Sequence, residues 1–410
     1  MLHGRDHRLS ITMARTIPIF PASPAAPSAE LEFRVSPPLA LYVHVPWCVQ
    51  KCPYCDFNSH EAGETIPERA YVDALIADLQ SALPLIWGRP VVSVFFGGGT
   101  PSLLSPAAID ELLAAFRALA MLAPDAEITL EANPGTVEAG KFAGFRAAGV
   151  NRLSLGIQSF NDAHLQALGR IHDAEEAKRA ARLASQHFDT FNLDLMYGLP
   201  GQTQAQALAD IETALSLSPT HLSCYQLTLE PNTRFAAFPP ELPEGDVCAD
   251  MQEAIEARLA VAGFSNYETS AFALPNRQCK HNLNYWFFGD YLGIGAGAHS
   301  KLTLHDRVLR QMRHKHPKAY LDNIRSGNAV QEHNEVAPAS LPFEFLMNAL
   351  RLADGFHPSL FEARTAQPLG RILPQLKAAE AAGLLAVGPE KIAPTAKGRR
   401  FLNVLLEKFL

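Results

Sequence analysis

The sequence predicts an α/β protein built on a partial (β/α)6 barrel, followed by a small, mostly helical C-terminal domain. Short apolar runs alternate with amphipathic stretches, and six such pairs follow one another from residue 40 onward. Runs of this kind are typical of parallel strands covered on both faces, and the stretches between them have the period of helices. Six β/α units in a row predict a parallel barrel, complete or partial.

The predicted strands are ALYVHV (40–45), VVSVFF (91–96), EITLEANP (127–134), RLSLGIQS (152–159), FNLDLMYGLP (191–200) and HLSCYQLTLEP (221–231). Helices are predicted between them at residues 68–83, 107–120 and 205–217. The first of these helices has one apolar stripe, formed by Tyr71, Leu75, Leu79 and Leu83. Such a stripe indicates a helix that packs one face against the strands.

The rest of the chain divides into three further predicted regions. Residues 1–38 read as a disordered extension and linker, since 21–30 are rich in proline, alanine and serine. The barrel core is predicted at 39–235, a barrel extension at 236–335 and a winged-helix-like domain at 336–410. In that last domain the helical patterns are 341–356, 369–385 and 395–410, with a wing at 388–394. The basic stretch 307–318 is expected to be a solvated loop.

Composition excludes several classes of protein. Hydrophobic residues make up 48% of the 410 residues and the net charge is −7, which indicates a globular protein and disfavours a general nucleic-acid binder. No stretch reaches the ~20 apolar residues of a membrane span, although transient membrane contact stays open. The six cysteines are partly clustered, which is typical of metal or redox use in a reducing compartment. We therefore expect a cytoplasmic protein.

Unusual residues follow the predicted strands at the ends where a parallel barrel carries its chemistry. The cysteine cluster follows the first strand and GGGTPS follows the second. Glu131 and Gln158 stand near the ends of the third and fourth strands, and Asp194 lies in the fifth. Since these ends meet at one face, the sequence predicts one polar site there.

Cys48, Cys52 and Cys55 are the candidate metal ligands. Thiolates at this density hold a soft metal or an iron–sulfur cluster. A structural zinc ion takes four ligands, and His44 or His60 is available to complete such a set. A cubane cluster held by three cysteines instead leaves one iron with an open position, where a cofactor binds. A zinc-binding nucleic-acid or scaffold module is the corresponding alternative function.

The pattern CxxxCxxC after the first strand, with GGGTP after the second, resembles the radical S-adenosylmethionine (SAM) superfamily. The resemblance implies a radical SAM partial barrel with a 4Fe–4S cluster on the three cysteines. It also implies that the open iron chelates the amino and carboxylate groups of SAM. The positions that match SAM contacts in the family are Tyr42, Gly98, Gly99, Thr100, Glu131, Gln158, Arg170 and Asp194.

Longer motifs across residues 40–300 resemble the coproporphyrinogen-oxidase-like branch of that superfamily. They include YVHVPWCVQKCPYCDF, FFGGGTPSLL, LGRIHD and YQLTLEPNT. The branch contains an oxygen-independent coproporphyrinogen III oxidase, which decarboxylates two propionates, and heme chaperones. The oxidase motif continues as CxxxCxxCxC, whereas Phe57 takes the place of the last cysteine here. The segment HNLNYW (281–286) is similar to a signature of the chaperones.

The resemblance therefore implies a chaperone that binds heme and delivers it to recipient hemoproteins, with the oxidase as the alternative. We expect a protein that has the fold and the cofactors of a radical SAM enzyme but lacks coproporphyrinogen oxidase activity. The candidate heme residues are His281, Asn282, Tyr285 and Trp286. His281 is a possible axial ligand and the two aromatic rings suit a flat macrocycle. Cys279 is a further possible ligand, and the alternative is a structural segment in which Trp286 packs in the core.

Overall fold

The computed structural model describes residues 31–136 and 139–410, apart from the side chain of Ala139. Most of the predicted disordered extension, residues 1–30, lies outside the described residues. The described residues Leu31–Leu410 form one compact unit. Within these residues, no helix is both long and apolar enough to cross a membrane.

The strands are β1 (Leu39–Val45), β2 (Trp47–Cys48), β3 (His60–Glu61), β4 (Pro90–Gly98), β5 (Met121–Ala132), β6 (Arg152–Gln158), β7 (Phe191–Tyr197), β8 (His221–Gln226), β9 (Ser265–Glu268), β10 (Ala271–Ala273), β11 (Asp290–Ile294), β12 (His299–Thr303), β13 (Val308–Arg313), β14 (Val330–Glu335), β15 (Leu385–Val387) and β16 (Ile392–Pro394). The helices are α1 (Glu68–Ile86), α2 (Pro106–Leu119), α3 (Ala139–Ala148), α4 (Asp162–Ala167), α5 (Ala174–His187), α6 (Gln204–Ser216), α7 (Arg234–Ala237), α8 (Gly245–Val261), α9 (Lys280–Trp286), α10 (Pro317–Ile324), α11 (Leu341–Ala349), α12 (Pro358–Thr365), α13 (Leu373–Ala381), α14 (Ala396–Arg400) and α15 (Leu402–Leu406).

One twelve-stranded sheet organises the fold, with the order β14-β13-β12-β11-β1-β4-β5-β6-β7-β8-β10-β9. Neighbours from β11 through β8 pair in parallel, and the strands beyond them on both sides pair antiparallel. The six predicted strands are β1 and β4–β8. The predicted run of six parallel β/α units is therefore confirmed, and the C-terminal ends of its strands lie together at one end of the barrel.

The helices cover the outer face of these strands because each has one apolar stripe to bury. In α1, Tyr71, Leu75 and Leu79 are fully buried and Leu83 packs partly buried against the same core. The predicted stripe is thus confirmed. The strands alternate in burial only weakly, as expected where both faces are covered.

The basic stretch 307–318 is not a solvated loop, so that expectation was wrong. Half of it forms β13, whose Arg313 is only 1% exposed and pairs with the buried Asp78 of α1 at 3.0 Å. Charge counting pointed to the surface, but Val308, Leu309 and Met312 are buried in the sheet extension.

The C-terminal region has its own apolar cluster, which includes Phe345, Phe361 and Leu376. Its wing is confirmed, since β15 and β16 pair antiparallel. The helical pattern at 341–356 is wrong in its second half. The helix ends at Ala349, because Leu352 and Phe356 leave it to make bridges to Glu268 and Ile392. The pattern at 395–410 is likewise divided into two short helices at Phe401.

Candidate functional site

A cavity of about 560 Å³ opens at the C-terminal ends of the parallel strands. Except for Tyr42, every residue predicted from the sequence for the cluster and for SAM lines it. These residues are Cys48, Cys52, Cys55, Gly98, Gly99, Thr100, Glu131, Gln158, Arg170 and Asp194. The structure therefore brings together residues that are up to 146 positions apart in the sequence. Tyr42 lies outside this lining, with its hydroxyl donating to His44 Nδ1 at 3.0 Å.

The three cysteines are on the loop that follows β1. Cys48 lies on β2, which pairs with β3 and so anchors the start of the loop. The Cys55 amide donates to the Cys52 carbonyl, which closes the turn at the other end. All three thiols are free and half-buried. Burial raises the pKa of the Cys48 and Cys55 thiols.

Neither histidine considered for a zinc site lies in this lining. His44 Nε2 donates to the Asn58 carbonyl at 2.9 Å, and His60 packs edge-on against His316 with ring centroids 5.2 Å apart. Over the described ranges, no group of three or more His, Cys, Asp or Glu side chains is placed to hold a metal ion. The thiols instead face an open cavity, which suits a polynuclear cluster larger than one ion.

Arg170 adds a positive charge beside the cysteines. Its Nη1 donates to Cys52 Sγ at 3.4 Å and its Nη2 donates to the Gly156 carbonyl at 2.8 Å. A guanidinium held in this way places a fixed positive charge beside the Cys52 sulfur. Three thiols, a nearby cation and free space form a donor set that fits an iron–sulfur cluster.

The GGGTP segment at the end of β4 hydrogen bonds to β1 and β2, the strands around the start of the cysteine loop. The Gly99 amide donates to the Val45 carbonyl and the Thr100 amide to the Trp47 carbonyl, both at 2.7 Å. Gly98 has φ +116°, a left-handed conformation that glycine adopts without strain. A Cβ on Gly99 would lie 2.4 Å from the Trp47 carbonyl oxygen. The glycines therefore allow the two loops to meet at the cavity.

Gly99→Ala is expected to destabilise the protein by roughly 1–3 kcal/mol, because the new methyl group overlaps backbone that cannot move aside easily. Gly140→Ala is the matched control, since a Cβ there meets nothing within 4 Å. Thermal unfolding of both variants measures the difference. A Gly99→Ala variant as stable as the control would contradict the close approach of these loops.

Two carboxyl groups, those of Glu131 and Asp194, also line the cavity. Glu131 Oε2 accepts from the Gly98 amide at 3.2 Å. Burial, with the nearby Asp194 carboxylate adding to it, raises the pKa of Glu131 to about 8. Burial also raises the pKa of Asp194, although hydrogen bonds from Ser154 and Asn192 oppose the shift. A ligand that donates a hydrogen bond or carries positive charge would therefore stabilise the ionised form of both carboxyl groups.

The raised pKa of Glu131 predicts a pH dependence of stability for the cofactor-free protein. Between its ordinary pKa of 4.5 and about 8, the folded protein holds a proton that the unfolded chain has released. Stability therefore falls as the pH rises through this window. Glu131→Gln is expected to remove roughly 1–3 kcal/mol of that loss. Thermal unfolding from about pH 5 to 8 measures it, with the exposed Glu64→Gln as control, and parallel curves for both variants would contradict it.

Sequence reasoning missed the residues that hold Asp194 in place. Ser154 Oγ donates to Asp194 Oδ2, and Asn192 Nδ2 donates to Asp194 Oδ1, both at 2.9 Å. The available signal was period two: Asn192 and Asp194 lie on the same face of β7. Gln158 has φ +68°, which is strained for a residue with a side chain and occurs often at functional sites.

The HNLNYW segment forms α9 and does not line the cavity. His281 is 2% exposed, and its ring stacks on Phe95 with centroids 4.8 Å apart. Its Nδ1 lies 3.0 Å from Ser93 Oγ. Ser93 and Phe95 are in β4, so the histidine is buried against the barrel strands rather than facing the cysteines. Burial lowers the pKa of His281 to about 3, which keeps the imidazole neutral.

The other residues of this segment are less buried. Asn282, Tyr285 and Trp286 are half-buried. The Tyr285 ring contacts His281 edge-on, and the Arg351 guanidinium lies over the Trp286 ring at 4.5 Å. Cys279 precedes the helix as a fully buried thiol, whose pKa burial raises to about 12. A helix with one buried imidazole and two adjacent aromatic rings is thus packed beside the barrel.

Comparison with known proteins assigns the parts of the chain. The family model of the Radical SAM superfamily matches residues 42–214, and the family model of the HemN C-terminal domain matches residues 336–401. The chain is 50% identical over 376 residues to the heme chaperone HemW of Escherichia coli (strain K12), covering 91% of this chain and 98% of that protein. It is 34% identical over 382 residues to HemW of Mycobacterium tuberculosis (strain ATCC 25618 / H37Rv), covering 91% and 95%.

The chain belongs to the HemW family. The solved structure of coproporphyrinogen III oxidase (HemN) from Escherichia coli, a radical SAM enzyme, also resembles it, with a TM-score of 0.77 and 27% identity over 91% of this chain and 90% of that one. The predicted fold and branch of the superfamily are therefore confirmed. Membership of the radical SAM superfamily implies a 4Fe–4S cluster and SAM. The chain offers three thiols, a glycine-lined wall and two carboxyl groups in one cavity, which fit that pair.

Proposed function

We propose that this chain is a cytoplasmic heme chaperone that binds a 4Fe–4S cluster, SAM and heme and delivers heme to recipient hemoproteins. The observation that carries the proposal is the 50% identity along nearly the whole length of a heme chaperone. Six free cysteines support a reducing compartment. The described cavity supports the cofactors, and α9 supplies candidates for heme.

Cys48, Cys52 and Cys55 would hold the cluster, which supplies an iron with an open coordination position for the amino and carboxylate groups of SAM. Glu131 and Asp194 would accept hydrogen bonds from the SAM ammonium or ribose hydroxyls. The backbone at the glycines would approach the methionine part closely. The full proposed set for SAM is Tyr42, Gly98, Gly99, Thr100, Glu131, Gln158, Arg170 and Asp194, of which all but Tyr42 line the cavity.

His281, Asn282, Tyr285 and Trp286 are the proposed heme residues. Two features of the described residues support a ligand here: His281 Nε2 and Trp286 Nε1 are buried and have no hydrogen-bond partner among them. A buried polar atom without a partner costs free energy, and an iron ligated by His281 would supply one. Because His281 is buried, α9 must move away from Phe95 for heme to reach it.

Heme titration of the purified full chain tests this proposal. The wild type is expected to bind about one heme per chain, followed by the Soret band. His281→Ala is expected to weaken binding at least tenfold, roughly the loss of one ligand bond. His164→Ala is the matched control, since His164 is also buried with an unpartnered Nε2. Equal affinities of the two variants would remove α9 from the heme site, and absence of heme binding by the wild type would refute the proposed function.

Oxygen-independent coproporphyrinogen III oxidase is the second candidate, because the HemN structure covers 91% of this chain. Phe57 counts against it, since it occupies the position of the additional cysteine in the oxidase motif and is 64% exposed at the cavity. Anaerobic protein with a full cluster, SAM, a reductant and coproporphyrinogen III is analysed by mass spectrometry. We expect no doubly decarboxylated product; product at repeated turnover would establish the oxidase.

A further inference from the structure

A chain of buried hydrogen bonds connects the cofactor cavity to the start of α9. Asn192 Nδ2 lies 2.9 Å from Asp194 Oδ1, and Asn192 Oδ1 lies 2.7 Å from His221 Nδ1. His221 Nε2 lies 2.8 Å from the Tyr267 hydroxyl, which accepts from the Cys279 amide at 3.3 Å. Asn192, His221, Tyr267 and Cys279 are all buried. The hydrogen-bond chain thus passes from β7 through β8 and β9 to Cys279, the residue immediately before α9.

All the donors in this chain point toward Asp194. The Asn192 amide must donate to the carboxylate, so its carbonyl oxygen must accept from His221 Nδ1–H. The neutral imidazole then presents Nε2 as an acceptor, which takes the Tyr267 hydroxyl hydrogen. The tyrosine oxygen is left free to accept from the Cys279 amide. Hydrogen bonds aligned in one direction polarise one another, and this alignment stabilises negative charge on Asp194.

The far end of the chain acts on the N-terminus of α9. Cys279 is the residue before the helix, and its side chain does not cap the helix. The Glu127 carboxylate accepts from the amides of Lys280 and His281 at 3.1 Å and so takes over the capping. The Tyr267 hydroxyl takes the preceding amide, that of Cys279. The position of His281 is therefore set by two acceptors outside the helix, the Glu127 carboxylate and the Tyr267 hydroxyl. The Tyr267 hydroxyl belongs to the hydrogen-bond chain.

We propose that Asn192, His221 and Tyr267 are positioning residues that couple ligand binding at Asp194 to the conformation of α9. This inference rests on the proposed function, in which Asp194 binds SAM and α9 binds heme. A ligand that donates a hydrogen bond to the Asp194 carboxylate competes with the Asn192 amide for this acceptor. The bond from Asn192 to Asp194 is then weaker, and so is each further hydrogen bond between Asn192 and the Cys279 amide. SAM therefore changes the affinity of α9 for heme.

The test compares heme dissociation constants with and without SAM in cluster-reconstituted full-length protein. In the wild type we expect SAM to change the heme dissociation constant at least fivefold. Tyr267→Phe removes one hydroxyl and is expected to bring that ratio to within about 1.5-fold of unity. Tyr320→Phe is the matched control, since Tyr320 is also buried and its hydroxyl donates to Asp78, which is not part of the hydrogen-bond chain. His221→Leu, which breaks the chain one step earlier, is expected to behave as Tyr267→Phe does.

Hydrogen–deuterium exchange gives a readout that does not depend on heme. SAM is expected to change the exchange of the amides of residues 279–286 in the wild type and in Tyr320→Phe, but not in Tyr267→Phe. The inference would be overturned if, in Tyr267→Phe and His221→Leu, SAM still changed the heme dissociation constant and the amide exchange as it does in the wild type. A wild type that binds heme but shows no response to SAM would overturn it as well, leaving the proposed function intact. An exchange response without heme binding would support the coupling and refute the proposed function.

Discussion

Replacing Cys48, Cys52 or Cys55 by alanine is expected to abolish the iron–sulfur cluster. Of the six cysteines only these three line the cavity, so each variant leaves a cluster with two protein thiolates and two open irons. Each single variant, reconstituted anaerobically, is expected to lose at least nine-tenths of its acid-labile sulfide and iron, a reduction of about tenfold. SAM binding to the iron is expected to be lost with the cluster.

Cys224→Ala is the matched control for these variants. Cys224 is a free, buried thiol on β8 that does not line the cavity. Its loss removes a small apolar contact and leaves the three clustered thiols in place. The control is expected to reconstitute to the same iron and sulfide content as the wild type. Full reconstitution of any of the three cluster variants would mean that other residues hold the metal.

Asp78→Ala is expected to cost roughly 3–5 kcal/mol of stability, because it leaves the buried Arg313 guanidinium without its counter-ion. The Asp78 carboxylate accepts from Arg313 at 3.0 Å, from the Tyr320 hydroxyl at 2.9 Å and from the Gly295 amide at 3.1 Å. These bonds join α1 of the barrel to β13, α10 and the end of β11. Their loss is expected to lower the melting temperature by several degrees and to loosen the sheet extension first.

Asp73→Ala tests whether the effect comes from burial. Asp73 is on the same helix and also pairs with an arginine, Arg69, but its side chain is 66% exposed. An exposed pair of this kind contributes about 0.2–1 kcal/mol. Thermal unfolding with hydrogen exchange of β13 as a local probe distinguishes the variants. Equal melting temperatures for both variants would contradict the structural role assigned to the Asp78 cluster.

Much of the barrel and its cavity could be predicted from the sequence because the signals are local. Parallel strands appear as short apolar runs, and the motif residues fall at their ends, where a parallel sheet must bring them together. Cys48, Gly99 and Glu131 therefore meet as expected. Tyr42 does not reach the cavity, since its hydroxyl is directed to His44 within the same strand. The hydrogen-bond partner of such a side chain depends on the tertiary structure around it, and motif spacing does not predict that.

The sheet extension and the setting of α9 could not be predicted in the same way. Arg313 lies in a stretch that its charge placed at the surface, whereas it is buried against Asp78, which is 235 residues earlier in the chain. The burial of His281 depends on Ser93 and Phe95, which lie almost 190 residues earlier. Buried polar networks of this kind depend on pairings that no local pattern reveals. The chain from Asp194 to Cys279 is a further example.

Transfer of heme to an apo-hemoprotein tests the central claim most directly. The full chain with its cluster is loaded with heme, freed of excess by desalting, and mixed with an apo-cytochrome of the b type. Separation of the two proteins then shows where the heme lies. We predict that heme moves to the apo-cytochrome faster than from heme–albumin at the same total heme, and that the porphyrin mass is unchanged. Heme that stays on the chain, or that transfers no faster than from albumin, would contradict a chaperone function.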